Sequence, residues 1–342
     1  MGSKIFQKYR IQNSNGLCAE ICNFGAKILS LHVPDKHGVL QDILIGFDDN
    51  QHYFFHDPYL NGICGRFAGR IGNGSFMLNG EMFEITKNEG NHQLHGGFKG
   101  FHVQFWEVEK WEEHKITLKY FSIDGEEGFP GNLDVWVTYE WDNSDQFMIT
   151  CKAETDKATI VNLCQHAYFN LNGSGTVKKH QLQIQADQYT EFDDQLINTG
   201  NLLHVEKTPL DFRVFKSLEA IDNDPFFAHT LGIDHCFALS RFEKKGGLVK
   251  ACKLYSPQSG IELEIYTNQP ALVVYTGNFI EDQIGKKGVQ NGQHTAICLE
   301  TQAFPNSPNI QNFPTTQLNP GEVYLTTTCW KFSTTINESV DI

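Results

Sequence analysis

No stretch of this 342-residue chain approaches the roughly 18 consecutive apolar residues that a membrane helix requires. Positive charge is also scarce. The 27 Lys and Arg stand against 41 Asp and Glu, for a formal net charge of −14 at pH 7. An acidic surface of this kind argues against nucleic acid or an anionic membrane as the partner. The basic residues do not cluster beyond isolated pairs such as Lys244-Lys245 and Lys286-Lys287. The Gly-rich run Gly62–Gly74 (GICGRFAGRIGNG) lacks the Gly-Lys-Ser/Thr ending of a phosphate loop. It reads instead as a loop carrying Arg66 and Arg70, where glycine permits close backbone approach. No G-x-S-x-G elbow is present, so serine hydrolase chemistry has no support.

The nine cysteines are odd in number and scattered, and the start of the chain, MGSKIFQKYR, has no apolar leader. Both features lead to the expectation of a reduced, cytoplasmic protein. The cysteines do not build a familiar zinc spacing, and Cys18-x-x-x-Cys22 lacks a second pair. His92-x-x-His95 has the spacing of half a metal site, but the following Gly96-Gly97 argues for a turn or a strand end. Metal binding is therefore the less favoured reading, and no cofactor is expected.

What the chain does have is strands. Ile116–Ile123, Leu133–Trp141, Phe147–Glu154, Gln181–Ala186, Ile261–Thr267, Leu272–Thr276 and Val323–Phe332 alternate in polarity and are rich in β-branched and aromatic residues. Turn signals separate them, among them Asp124-Gly125, Pro130-Gly131 and Asn319-Pro320-Gly321. Helical periodicity is poor, with Val214–Ile221 the best candidate. The expectation is an all-β chain, a large antiparallel sandwich or barrel, with residues 1–342 forming a single domain.

The most informative stretch is Ile160–Gly173 (IVNLCQHAYFNLNG). If it is a strand, Asn162, Cys164, His166, Tyr168 and Asn170 share one face and Val161, Leu163, Gln165, Ala167 and Phe169 the other. The first face is polar and aromatic with an imidazole at its centre, as in the wall of a polar pocket. A lone histidine is more often a satisfied core residue; its polar neighbours shift the reading toward function. Glu300 closes the apolar run Thr295–Leu299 (TAICL), on a face shared by Ala296, Cys298 and Gln302. A carboxylate there is costly unless paired or neutralised, and such an environment raises a Glu toward the range useful for proton transfer. His95 and Asp234 are further candidates, Asp234 on a loop where an Asx turn is the alternative reading.

Taken together, Gly65–Phe76 (GRFAGRIGNGSF), Asn91–Gly100 (NHQLHGGFKG), Gly128–Gly131 (GFPG), Asn162–Leu171 (NLCQHAYFNL), Pro209–Arg213 (PLDFR), Gly232–His235 (GIDH), Tyr275–Phe279 (YTGNF), Leu299–Gln302 (LETQ) and Pro320–Tyr324 (PGEVY) resemble the sequence blocks of the aldose 1-epimerases, or galactose mutarotases, in the same order. Each block is weak alone; the set is specific and spans most of the chain. The resemblance implies a large β-sandwich whose concave face holds a small-molecule aldose such as galactose or glucose, in a monomer or homodimer. It implies Glu300 as general base and His166 as general acid, with Arg70, His95 and Asp234 binding the sugar. Gly69, Gln165 and Val273 depart from residues frequent in the family and bear on substrate preference. Three alternatives stand beside this reading. They are a non-catalytic sugar sensor on the same scaffold, a hexose-phosphate mutarotase, and a glycoside hydrolase using Glu300 with Asp234.

Overall fold

The computed structural model describes residues 5–55, 59–222, 224–240 and 247–334. The pair Lys244-Lys245 lies outside them. The architecture follows from the alternation in the sequence. In Leu133–Trp141 every second side chain, from Leu133 through Val135, Val137 and Tyr139 to Trp141, is buried. The residues between them are only partly covered. That period of two gives a strand with one apolar face and therefore a sheet that must be covered on that side.

Among the described residues the largest sheet has nine antiparallel strands. Its centre is Leu133–Trp141, Gln146–Thr155, Tyr324–Thr334 and Ile261–Thr267, in that spatial order. A six-stranded antiparallel sheet lies against it. Its order runs Tyr168–Phe169, Ile297–Gln302, Ala271–Tyr275, Asp234–Ala238, Gln188–Phe192, Asn198–His204. One continuous apolar core joins the two, with Val137, Ile265 and Trp330 from the larger sheet meeting Phe237, Val274 and Leu299 from the smaller. Phe169 and Trp330 touch across the layers, ring centres 4.9 Å apart. The expected all-β antiparallel sandwich is the observed fold. A four-stranded meander, Lys8–Gln12 to Leu40–Asp42, adds to the same core.

The sequence-derived strands match closely, Leu133–Trp141 and Ile261–Thr267 to the residue. Three expectations need correction. Val214–Ile221 is not an α-helix: Lys216–Ser217 joins the large sheet, and Leu218–Ile221 forms a single 3₁₀ turn capped by the Ser217 hydroxyl. The stretch is too short to sustain helical hydrogen bonding without a larger apolar face. Ile160–Gly173 is not one strand. It makes three two-residue pairings, Thr159–Ile160, Cys164–Gln165 and Tyr168–Phe169, each to a different partner strand. Asp234 opens the strand Asp234–Ala238 and is not on a loop. No helix among the described residues is long and apolar enough to cross a membrane.

Candidate active site

The six-stranded sheet turns one face to the core and the other to a cleft of about 630 Å³. The register decides what that second face carries. Glu300 sits opposite Val273, and Val273 opposite Cys236. The next row on the same face is Cys298, Tyr275 and Asp234. Leu299 and Val274, one residue out of step, point into the core. Glu300 lies within the strand Ile297–Gln302, not at its end, and is 2% exposed.

His166 reaches the cleft from the broken segment beside this sheet. Its backbone is held by Gly62 and Asn61: the His166 N–H donates to the Gly62 carbonyl at 2.9 Å, and the Asn61 N–H to the His166 carbonyl at 3.0 Å. Although the segment is interrupted, the expected alternation survives. Val161, Leu163, Ala167 and Phe169 are core. On the other side Cys164 and His166 meet Glu300, and Tyr168 lies against His166 with ring centres 5.0 Å apart. Gln165 points away from the cleft, donating to the Asn61 carbonyl and accepting from the Tyr139 hydroxyl.

His166 Nε2 lies 3.2 Å from Glu300 Oε1, and both side chains are buried. Burial, with Asp234 adding to it, pushes the Glu300 carboxyl up to about 8. Burial pushes the His166 imidazole down to about 3. The proton shared by the pair therefore rests on Glu300, which donates to a neutral His166. That fixes the tautomer: Nε2 accepts from Glu300, so the ring proton of the neutral imidazole is on Nδ1. The other oxygen, Glu300 Oε2, accepts from Gln302 Nε2 at 3.2 Å and from the Cys164 thiol at 3.5 Å. Oε1 is left as the oxygen that exchanges the proton.

Arg70 lies in the first, and His95 directly follows the second, of two short paired strands, Arg70–Ile71 and Gln93–Leu94. The Gly69 N–H donates to His95 Nδ1 at 3.2 Å. A backbone N–H can only donate, so the proton of the neutral ring is on Nε2. Burial, with His166 and His102 nearby, keeps this imidazole well below its ordinary value. His95, His166 and Glu300 have donor atoms within 4.8 Å of one another. The tautomer nevertheless makes His95 Nε2 a hydrogen-bond donor and not a lone pair offered to a metal, which suits a sugar oxygen better than a cation. His92, the other half of the candidate metal pair, is turned elsewhere. Its Nδ1 accepts from the Asn73 N–H and its Nε2 donates to Gln195.

Arg70 makes a two-pronged ion pair with Glu89, Nε to Oε2 at 2.6 Å and Nη2 to Oε1 at 2.8 Å. Burial alone would lower this guanidinium, but Asp234 and Glu89 outweigh it and hold the group above its usual value. Asp234 is raised by burial, against the pull of Arg70. All five residues singled out in the sequence (Arg70, His95, His166, Asp234 and Glu300) line this one cleft, as do Gly69 and Val273. Arg66, from the same Gly-rich run, does not. It is a buried clamp whose guanidinium donates to the Pro130 and Gly131 carbonyls. Sequence reasoning missed Glu89, and it missed the hydrogen-bonding roles of Cys164 and Gln302 toward Glu300. Cys164 and Gln302 were legible as members of the two polar faces, whereas the partnership of Glu89 with Arg70 spans 19 residues and left no periodic trace.

Fold and site together define a class: an antiparallel β-sandwich whose smaller sheet carries a polar cleft with a buried histidine–carboxylate pair. Comparison with known proteins narrows this. The aldose 1-epimerase family model matches residues 7–329. A galactose mutarotase of Bos taurus is 37% identical over 337 residues, covering 97% of this chain and 96% of that protein. An aldose 1-epimerase of Haemophilus influenzae is 36% identical, covering 93% and 94% respectively. The crystal structure of a GalM/aldose epimerase homologue from C. elegans superposes with a TM-score of 0.90 at 32% identity, covering 96% of this chain and 99% of that one. The chain belongs to the aldose 1-epimerase family, and it is an isomerase.

Proposed function

We infer that this enzyme interconverts the α and β anomers of free hexoses such as galactose and glucose, with Glu300 as general base and His166 as general acid. The observation that carries the reading is the buried His166–Glu300 contact, a pair of opposite proton affinity sharing one proton. With a sugar in the cleft, the productive state has the shared proton on His166 and Glu300 as carboxylate. Glu300 takes the proton from the C1 hydroxyl while His166 delivers its proton to the ring oxygen. The C1–O5 bond breaks with its electron pair going to O5, and the open aldehyde forms. Rotation about C1–C2 turns the other carbonyl face toward the hydroxyl. On closure His166 recovers its proton from O5, and Glu300 returns one to O1.

The pair thus holds a single proton in the resting state and at both ends of the reaction, so one protonation state serves ring opening and ring closure. Each well-placed group contributes roughly 10²–10⁴-fold. His95 Nε2–H and Arg70 donate to sugar oxygens, and Asp234 accepts from a hydroxyl. Residues 1–342 act as one domain in this account, in a monomer or homodimer, and the ligand is the sugar.

Polarimetry on freshly dissolved α-galactose and α-glucose, with xylose and arabinose alongside, tests the activity and ranks the substrates. The expected result is a decay of rotation faster than the spontaneous rate and first order in enzyme. Binding of galactose without acceleration would overturn the catalytic reading.

A further inference from the structure

We propose that Glu89 is a specificity-determining residue that occupies one anion-binding edge of Arg70 and matches its charge, and so restricts the cleft to uncharged and cationic aldoses, excluding those that carry a carboxylate or a phosphate. The inference rests on the mutarotase reading above and adds the class of sugar that the site admits.

A guanidinium recognises an anion through paired N–H donors. Its Nε and one Nη form a fork that matches the two oxygens of a carboxylate or phosphate. In Arg70 that fork is already taken by Glu89, through Nε and Nη2. Glu89 leaves the Nη1 hydrogens and the second Nη2 hydrogen for sugar hydroxyls, while its carboxylate matches the positive charge that would draw a second anion to that open edge. Glu89 is also fixed in place. Its backbone N–H donates to the His92 carbonyl at 3.1 Å, and the His92 N–H returns a bond to the Glu89 carbonyl at 2.9 Å. The preceding residue, Asn88, clasps Leu94 by both its N–H and its carbonyl. The pair is therefore built into the turn that delivers His95 to the site.

The other charges point the same way. Among the described residues that line the cleft, Arg70 is the sole lysine or arginine, against Glu89, Asp234, Glu281 and Glu300. With Arg70 matched by Glu89, Asp234 and the rim residue Glu281 leave a field that repels a second anion. At short range one unlike or like charge in such a site changes relative rates by about tenfold or more.

The test keeps the reacting end of the sugar constant and varies the charge at C6. Anomer exchange is measured for 6-amino-6-deoxygalactose, galactose, galacturonate and galactose 6-phosphate, at about 20 mM and about 500 mM salt. For the wild-type enzyme the expected kcat/KM falls in that order, with the two anionic sugars at least about tenfold below galactose at low salt and the gap narrowing at high salt. In Glu89→Gln the ratio of galacturonate to galactose should rise at least about fivefold, and in Glu89→Asp it should stay near wild type. Should Glu89→Gln fail to fold, Glu281→Gln at the rim carries the same test, with an expected rise of about twofold. Equal rates across the wild-type charge series would overturn the proposal. So would a uniform loss for all four sugars in Glu89→Gln, which would mean that Glu89 merely supports Arg70. A wild-type enzyme that fails to accelerate galactose itself would count instead against the acid–base reading of the site.

Discussion

At the scale of single residues, Glu300 shows what the site costs the fold. Its carboxyl is raised to about 8 by burial and by Asp234, whereas in the unfolded chain it titrates near 4.5. Below about 4.5 the group is protonated in both states and has no effect. As pH rises from 4.5 toward about 8 the unfolded chain loses a proton that the folded protein keeps. Stability is lost across that window at up to about 1.4 kcal/mol per pH unit. Glu300→Gln removes this titration. Its melting temperature should match wild type near pH 4.5 and exceed it increasingly toward pH 8, as read by thermal denaturation. Activity has the complementary dependence. With the one-proton pair proposed as the working form, kcat/KM should be level through neutral pH and fall about tenfold per unit above about 8, as Glu300 gives up the shared proton. A profile still rising at pH 9 would contradict the assignment of that proton.

At the scale of elements, the site is assembled by short pairings rather than long strands. Two of them carry much of the geometry. Cys164–Gln165 with Ile63–Cys64 sets His166, and Arg70–Ile71 with Gln93–Leu94 sets His95. Gly96 shows how tight this is. Its φ is +88°, and a Cβ there would collide with the Gly65 carbonyl. Gly96→Ala should therefore displace His95 and destabilise the protein by about 2 kcal/mol or more, measured by chemical denaturation. A variant as stable and active as wild type would refute the role given to this turn. The same elements explain what the sequence revealed. Strict alternation made Leu133–Trp141 and the two faces around His166 and Glu300 legible, because a period of two directs side chains whether or not the strand is continuous. The breaks in Ile160–Gly173 were hidden, since three partner strands impose them from outside the segment. Glu89 was hidden for the same reason: an ion pair between two turns obeys no local period. Several of the family-like blocks are structural in function. The carbonyls of Pro130 and Gly131 receive Arg66, and the Tyr324 hydroxyl accepts from the Leu163 N–H.

At the scale of the whole molecule, the β-sandwich buries a set of neutral histidines. His95, His102, His166, His180 and His235 are all lowered by burial, His180 to about 4 and His166 and His235 to about 3. Their folded values lie below the unfolded value near 6.5, so their contribution is intact above about 6.5 and is lost as pH falls. Each adds up to about 1.4 kcal/mol of lost stability per pH unit in that range. Calorimetry near pH 5.5 in buffers of different ionisation heat should report a net uptake of more than about one proton on unfolding. Zero or net release would contradict the burial of these rings in neutral form. The fold itself brings the buried His166–Glu300 contact and the side chains of Arg70, His95 and Asp234 to one cleft. The account stands or falls on that pair doing the chemistry. The most direct test is anomer exchange of galactose by NMR exchange spectroscopy for wild type, Glu300→Gln, His166→Asn and the double variant, each shown to be folded by its thermal melt. The account predicts that either single change removes about 10²–10⁴-fold of the enzymatic rate and that the double change is little worse than one, because the two groups act as a unit. A folded single variant that keeps near-wild-type exchange would contradict it.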